Sequence, residues 1–199
     1  MKPWLEEVVL ETESLRLLPL RESHKEALIA AASDGELWKL WFTGVPSKES
    51  VDQYIAQALA DHALGLALAF VVEDKQSGAI IGSSRFCNAV APHRRVEIGY
   101  TWYAKSFQRS KVNTQCKLLM LQHAFDELQA IAVEFRTHWH NQASRTAIAR
   151  LGAKQDGVLR NHSIEADGAY RDTVVFSILE SEWPSVAKNL RFQLERARL

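Results

Sequence analysis

Arg95-Val96-Glu97-Ile98-Gly99-Tyr100-Thr101-Trp102 is a strand-like run, rich in β-branched and aromatic residues, with a carboxylate inside it. A short polar loop follows, Gln108-Arg109-Ser110-Lys111, and Val112-Asn113-Thr114 then opens a run of helix formers that reaches Leu128. Cys116, Leu118, Leu119, Met120 and Leu121 leave this helix hardly any polar face, which predicts deep packing against a sheet. Ile131, Val133, Phe135, Thr137 and Trp139 next alternate with Ala132, Glu134, Arg136, His138 and His140, the period of a strand. Strand, helix and strand in that order predict a right-handed crossover joining two parallel strands.

Upstream, Leu15 to Leu20 reads as a first strand, with Ser23 capping a helix through Ala32. A second helix starts after Pro46, with Ser47 and Ser50 near its cap and Val51, Tyr54, Ile55, Ala58 and Leu59 on one face. Ala67 to Glu73, a turn over Asp74 to Gly78, and Ala79 to Cys87 form an antiparallel meander leading into the central strand. Downstream, Asn141 to Leu151 is a helix stopped by Gly152, a hairpin turns at Asp167-Gly168, and a last helix begins near Trp183-Pro184. The fold class is α/β, a mixed sheet antiparallel at its start and parallel in the middle. Residues 1–199 read as a single domain, its core running from about Val8 to about Leu190.

Bulk composition narrows the function. Lys and Arg number 24 and Asp and Glu number 24, so the surplus positive charge that a duplex nucleic-acid binder needs is absent. Met1 to Thr12 holds no signal-peptide core, and no apolar stretch approaches the roughly 18 residues of a membrane span. Cys87 and Cys116 have no metal-ligand spacing, so a reducing cytoplasm is the expected location. His138 and His140 share a strand face but lack a third ligand, and no metal is expected.

A strand, a polar loop and an immediate helix start place unpaired N–H groups and a positive dipole end together. That arrangement suits a pyrophosphate, with Arg109 and Lys111 adding charge; an ordinary basic loop before a buried helix has the same local composition. The order of motifs decides between them. Leu15-Arg16-Leu17-x-Pro19-Leu20, Gly78-x-Ile80-Ile81-Gly82-Ser83, Val96-Glu97-Ile98-Gly99-Tyr100, Asn141-x-x-Ser144 and Arg150-Leu151-Gly152-Ala153 follow one another as they do in a known family. Over nearly its whole length the chain resembles the GNAT acyl-CoA N-acyltransferase superfamily, and within it the ribosomal-protein N-terminal acetyltransferases.

The resemblance implies an acyl-CoA, acetyl-CoA in the first instance, lying in a V-shaped opening between the family's fourth and fifth strands. Tyr100, Thr101 and Trp102 would then flank the pantetheine, and Gln108, Arg109, Ser110, Lys111, Val112, Asn113 and Thr114 would surround the pyrophosphate. Asn141 and Ser144 would meet the pantetheine or thioester end, although an asparagine and a serine there also satisfy a helix start. The family's loop carries glycines where Lys111 and Asn113 stand, and its proton-donating tyrosine is replaced by Ile148.

Acyl transfer to an amine needs a proton acceptor, support for the oxyanion and a proton for the thiolate. Glu97 is the candidate base or ammonium ligand, the alternative being a solvated carboxylate paired with Arg94 or Arg95. Ser144 is the candidate acid in place of the tyrosine, and backbone N–H groups around Gly99 to Thr101 are the oxyanion donors implied by the resemblance. Cys116 reads as a buried apolar residue, which favours direct attack in a ternary complex over an acyl-cysteine. Trp38, Trp41 and Phe42 either line the acceptor pocket or pack in the core. The expected activity is acetyl transfer to a protein N-terminus or a small-molecule amine. The alternative is a non-catalytic acyl-CoA sensor, and a homodimer is the expectation from base rates.

Overall fold

A computed structural model describes residues 4–196. Its eight strands form one sheet in the order β1-β2-β3-β4-β5-β6-β8-β7, comprising β1 (Leu10–Glu11), β2 (Leu15–Pro19), β3 (Leu68–Asp74), β4 (Ala79–Val90), β5 (Arg95–Tyr103), β6 (Ala132–His138), β7 (Lys154–Ile164) and β8 (Tyr170–Leu179). Only β5 and β6 run parallel, joined through α3 (Val112–Gln122) as the crossover pattern requires. The other helices are α1 (Lys25–Ser33), α2 (Val51–Ala63), α4 (Gln142–Leu151) and α5 (Trp183–Glu195). No helix among the described residues is long and apolar enough to cross a membrane.

Side-chain alternation divides the core in two. Leu68, Phe70 and Val72 of β3 face one side, with Cys116 and Met120 of α3, Ile148 and Leu151 of α4 and Val186 and Leu190 of α5. Ala69 and Val71 face the other, with Leu28 of α1, Val51 and Ile55 of α2, and Trp102. A sheet covered on both faces explains why β3 is an unbroken apolar run and not a half-polar one.

Several local expectations change in the folded chain. Ser23 lies in a 3₁₀ turn (Glu22–His24), and α1 starts only at Lys25, because His24 Nδ1 accepts the backbone N–H of Arg21 and sets the entry there. The helix expected to reach Leu128 is α-helical only to Gln122 and closes in one π turn over His123–Glu127. That widening carries Phe125 onto Trp183, whose rings stack at 5.3 Å, while Trp183 Nε1 donates to Asp126 Oδ1 at 2.9 Å. The short β1 was not legible, since two residues carry no periodicity.

Candidate active site

The parallel pairing of β5 and β6 lasts three residues. Arg95 faces Ala132, Val96 faces Val133 and Glu97 faces Glu134, and there it stops, although β5 continues to Tyr103 and β6 to His138. The strands part, and a cleft of about 1550 Å³ opens between them. Pockets for a single small molecule usually measure about 300–1,000 Å³, so this cleft is larger than that class.

A β-bulge shapes the wall of the cleft. Gly99 pairs with Arg85 and Trp102 with Ser83, which leaves Tyr100 and Thr101 opposite Ser84 alone. Tyr100 absorbs the extra residue with φ of 50°, a left-handed conformation that a tyrosine seldom adopts. Arg85, 1% exposed, holds it by placing its guanidinium carbon 4.1 Å from the Tyr100 ring centre, and pairs with Asp61 at 3.7 Å. The inserted residue also reverses the side-chain parity of β5. Val96 and Ile98 face the α3 side before the bulge, and Tyr103 faces it afterwards, whereas Trp102 faces α2. Thr101 is thereby turned toward α3, where Lys117 Nζ meets its Oγ1 at 2.5 Å and Ser84 Oγ at 2.9 Å.

One end of the cleft is the loop before α3. Gln108 Nε2 donates to Tyr103 O at 2.9 Å and ties the loop to the strand end, and Ser110 Oγ accepts the Val112 N–H at 3.2 Å. Lys111 caps α3 with φ of −76°, so the positive φ falls on Arg109, at 56°. Among the described residues, no protein acceptor meets the N–H groups of Asn113 and Thr114, the usual state of a first helical turn. Close by, Asn141 Oδ1 accepts the Ser144 N–H at 3.0 Å and caps α4, which places both residues on the cleft wall.

Where the strands part stands Glu97, 7% exposed. Its Oε2 accepts from Asn88 Nδ2 at 2.8 Å and lies 3.5 Å from Arg136 Nε, too far and misaligned for a hydrogen bond. Burial pushes the Glu97 carboxyl above its usual range, with Asn88 and Arg136 pulling it back. Phe42, Arg136, His138, His162, Arg171 and Thr173 also line the cleft. His162 Nδ1 and Arg171 Nε both contact Thr173 Oγ1, at 3.1 and 3.3 Å. Burial and the charge of Arg171 push the His138 imidazole below its usual range, with Glu165 opposing.

The model of the acetyltransferase (GNAT) domain family matches residues 14–154. This chain belongs to the GNAT acetyltransferase family. It is similar to the uncharacterized N-acetyltransferase YoaA of Bacillus subtilis, 26% identical over 86% of this chain and 97% of that protein. The crystal structure of a GCN5-related N-acetyltransferase from Brucella melitensis superposes with a TM-score of 0.87, at 29% identity over 96% of this chain and 87% of that one. RimJ of Mycobacterium smegmatis, solved in complex with CoA-disulfide, shares the fold with a TM-score of 0.75, at 24% identity over 94% of this chain and 93% of that one.

Within this acetyltransferase, most of the residues singled out from the sequence converge on the cleft: Glu97, Tyr100, Thr101, Trp102, Gln108, Arg109, Ser110, Lys111, Asn113, Thr114, Asn141, Ser144 and Phe42 all line it. Three others fall elsewhere. Val112 turns its side chain into the core, 8% exposed, so only its backbone faces the loop. Trp38 packs against the α1–α2 core. Trp41 lies outside the lining with 61% of its surface exposed, edge-on to His138 at 4.9 Å. The Lys111 ammonium is also committed, donating to the Leu194 carbonyl of α5. Glu97 takes Arg136 as its partner, while Arg95 pairs with Glu134. Cys116 is fully buried and its thiol is pushed up to about 11, leaving no thiolate to accept an acyl group.

Sequence reasoning missed Asn88, Arg136, Arg171 and His162, which arrive from four separate segments, and above all Lys117. A single charge between Cys116 and Leu118 in a helix otherwise read as apolar was the available signal.

Proposed function

We propose that this acetyltransferase transfers the acetyl group of acetyl-CoA to an amine by direct attack in a ternary complex. The observation that carries the reading is the parting of β5 and β6 after Glu97 and Glu134, with a cleft lined by both strands. The pyrophosphate rests against the loop at Gln108 to Thr114, where first-turn N–H groups and the helix dipole favour an anion. Pantetheine runs along Ile98 to Trp102, whose edge toward β6 has lost its strand partner, and backbone N–H groups near the bulge support the oxyanion. Asn141 and Ser144 bound the thioester end from the first turn of α4.

The amine enters from the end walled by Phe42, His138, His162 and Arg171, and Glu97 takes its proton. A carboxyl raised by burial is a stronger base than a solvated one, which suits it to an amine nucleophile. The acceptor is a peptide N-terminus or a small-molecule amine. Release of free thiol from acetyl-CoA, followed across N-terminal peptides, amino acids and aminated metabolites, tests the reading. Turnover with at least one class is expected. Thermal stabilisation by CoA with no thiol release from any acceptor would mark an acyl-CoA sensor and overturn the enzymatic role.

A further inference from the structure

Lys117 is 4% exposed, and its ammonium sits behind the β5 bulge on the wall of the cleft. Its bonds go to two hydroxyls, Ser84 Oγ and Thr101 Oγ1, which lie 2.8 Å from each other. Among the described residues, no carboxylate stands within ion-pair range of it. The titratable groups that influence it are two thiols, Cys116 on its own helix and Cys87 on β4, and burial pushes both upward, so both stay neutral. A buried cation without a counter-charge is costly, and an ion pair is the ordinary remedy. Burial lowers the amine to about 8, and a negative charge arriving in the cleft would stabilise its charged form.

The bulge sets which charge that is. Lys117 and Thr101 approach from the α3 side of the sheet, whereas a Cβ added to Gly99 would lie 3.2 Å from Glu97 Oε1, which places that carboxylate beside the strand ahead of the bulge. An amine deprotonated at Glu97 attacks from one side, and the sulfur leaves toward the other. Resting on the acyl-CoA reading above, we propose that Lys117 is the catalytic acid of this transferase, donating a proton to the departing CoA thiolate where the family tyrosine is replaced by Ile148. As the tetrahedral intermediate collapses, the C–S bond breaks, its electron pair goes to sulfur, and one N–H proton of Lys117 passes to it. The neutral amine is reprotonated from solvent through the Thr101 and Ser84 hydroxyls, balancing the proton that Glu97 took from the acceptor. Ser144 cannot be the net donor, because an alcohol is far less acidic than a thiol; it can only relay. An amine lowered to about 8 lies close enough to the thiol that the pair shares the proton, so the bound thiol titrates below its free value even as Lys117 delivers the proton during C–S cleavage.

The experiment uses free CoA as its probe, with the thiolate absorbance in the ultraviolet as readout. CoA bound to the wild type should titrate at least one pH unit below the ordinary thiol value of about 8.5, and Lys117→Met should abolish that shift while CoA still binds. Turnover with acetyl-CoA should fall about 100-fold in Lys117→Met with KM changed only a few-fold, and thioesters of more acidic thiols should recover most of the loss. Failure of the wild type to bind CoA would remove the acyl-CoA reading itself. Binding with an unshifted thiol, or a turnover loss that ignores the leaving group, would overturn Lys117 alone. The wild-type titration decides even if Lys117→Met does not fold, and Lys117→Gln provides a second variant that keeps the hydroxyl contacts.

Discussion

Replacing Lys117 by methionine should make the protein more stable at neutral pH, although the substitution removes two hydrogen bonds. Burial pushes the Lys117 amine down to about 8 from the 10.5 of a free lysine. A gap of roughly 2.5 pH units, at about 1.4 kcal/mol per unit, means that holding the charged form inside costs about 3 kcal/mol. Methionine has a similar volume and carries no charge. Ser84 and Thr101 keep their mutual hydrogen bond at 2.8 Å, so removing the two lysine hydrogen bonds offsets only about 1–2 kcal/mol of that gain. A net stabilisation of roughly 1–2 kcal/mol is expected near pH 7. The pH dependence is the sharper signature. Between pH 8 and 10.5 the unfolded lysine still holds its proton while the folded one has released it, so wild-type stability rises with pH across that window. The advantage of methionine therefore shrinks by about 2 kcal/mol from roughly pH 7 to pH 10. Urea unfolding of both proteins at several pH values gives the midpoints and slopes directly. A variant that is less stable at pH 7, by a margin that does not change with pH, would refute the reasoning.

Two other substitutions probe the cleft independently. Glu97→Gln should lower kcat/KM by about 100-fold or more and erase the rise of the rate with pH through the elevated Glu97 carboxyl; an intact acidic limb in the variant would remove Glu97 as the base. Gly82→Ala should destabilise the fold by about 3 kcal/mol, because a Cβ there would collide with the Trp102 carbonyl of the neighbouring strand, and an unchanged urea midpoint would show that the β4–β5 register near the bulge is misjudged.

The order of elements was legible because burial imposes period on sequence. Ala132 to His138 alternate as a strand, Asn141 and Gly152 bracket α4 as cap and stop, and the run through Met120 predicted a helix buried against the sheet. The parting of β5 from β6 was not readable from periodicity and came only with the family resemblance, since nothing in Ile98 to Tyr103 says which edge of a strand loses its partner. The bulge was hidden for a related reason. Tyr100 is clasped there by Arg85 of the neighbouring β4, a contact between strands that the period of either one does not reveal. Lys117 escaped because a lone lysine in an apolar helix ordinarily extends its stem to water. Whether it can do so depends on what packs beside it, and here Ser84 and Thr101 meet it first.

The loop before α3 shows how a family motif can lose its glycines and keep its shape. Lys111 stands at a glycine position yet needs no glycine, since its φ is −76° and the one left-handed residue is Arg109, two positions earlier. Arginine in that conformation is strained by about 1–3 kcal/mol and persists only if its surroundings hold it. They do so from both sides. Gln108 is tied to the end of β5 at Tyr103, and Lys111 is tied to α5 at Leu194, so the turn between them has fixed ends. The Lys111 ammonium thus braces the loop against the last helix. The positive field at the proposed diphosphate seat falls to the α3 dipole, the free first-turn N–H groups of Asn113 and Thr114, and the Arg109 guanidinium. Shortening the chain before Leu194 would accordingly loosen a site built from residues more than 80 positions upstream, by freeing the strained turn.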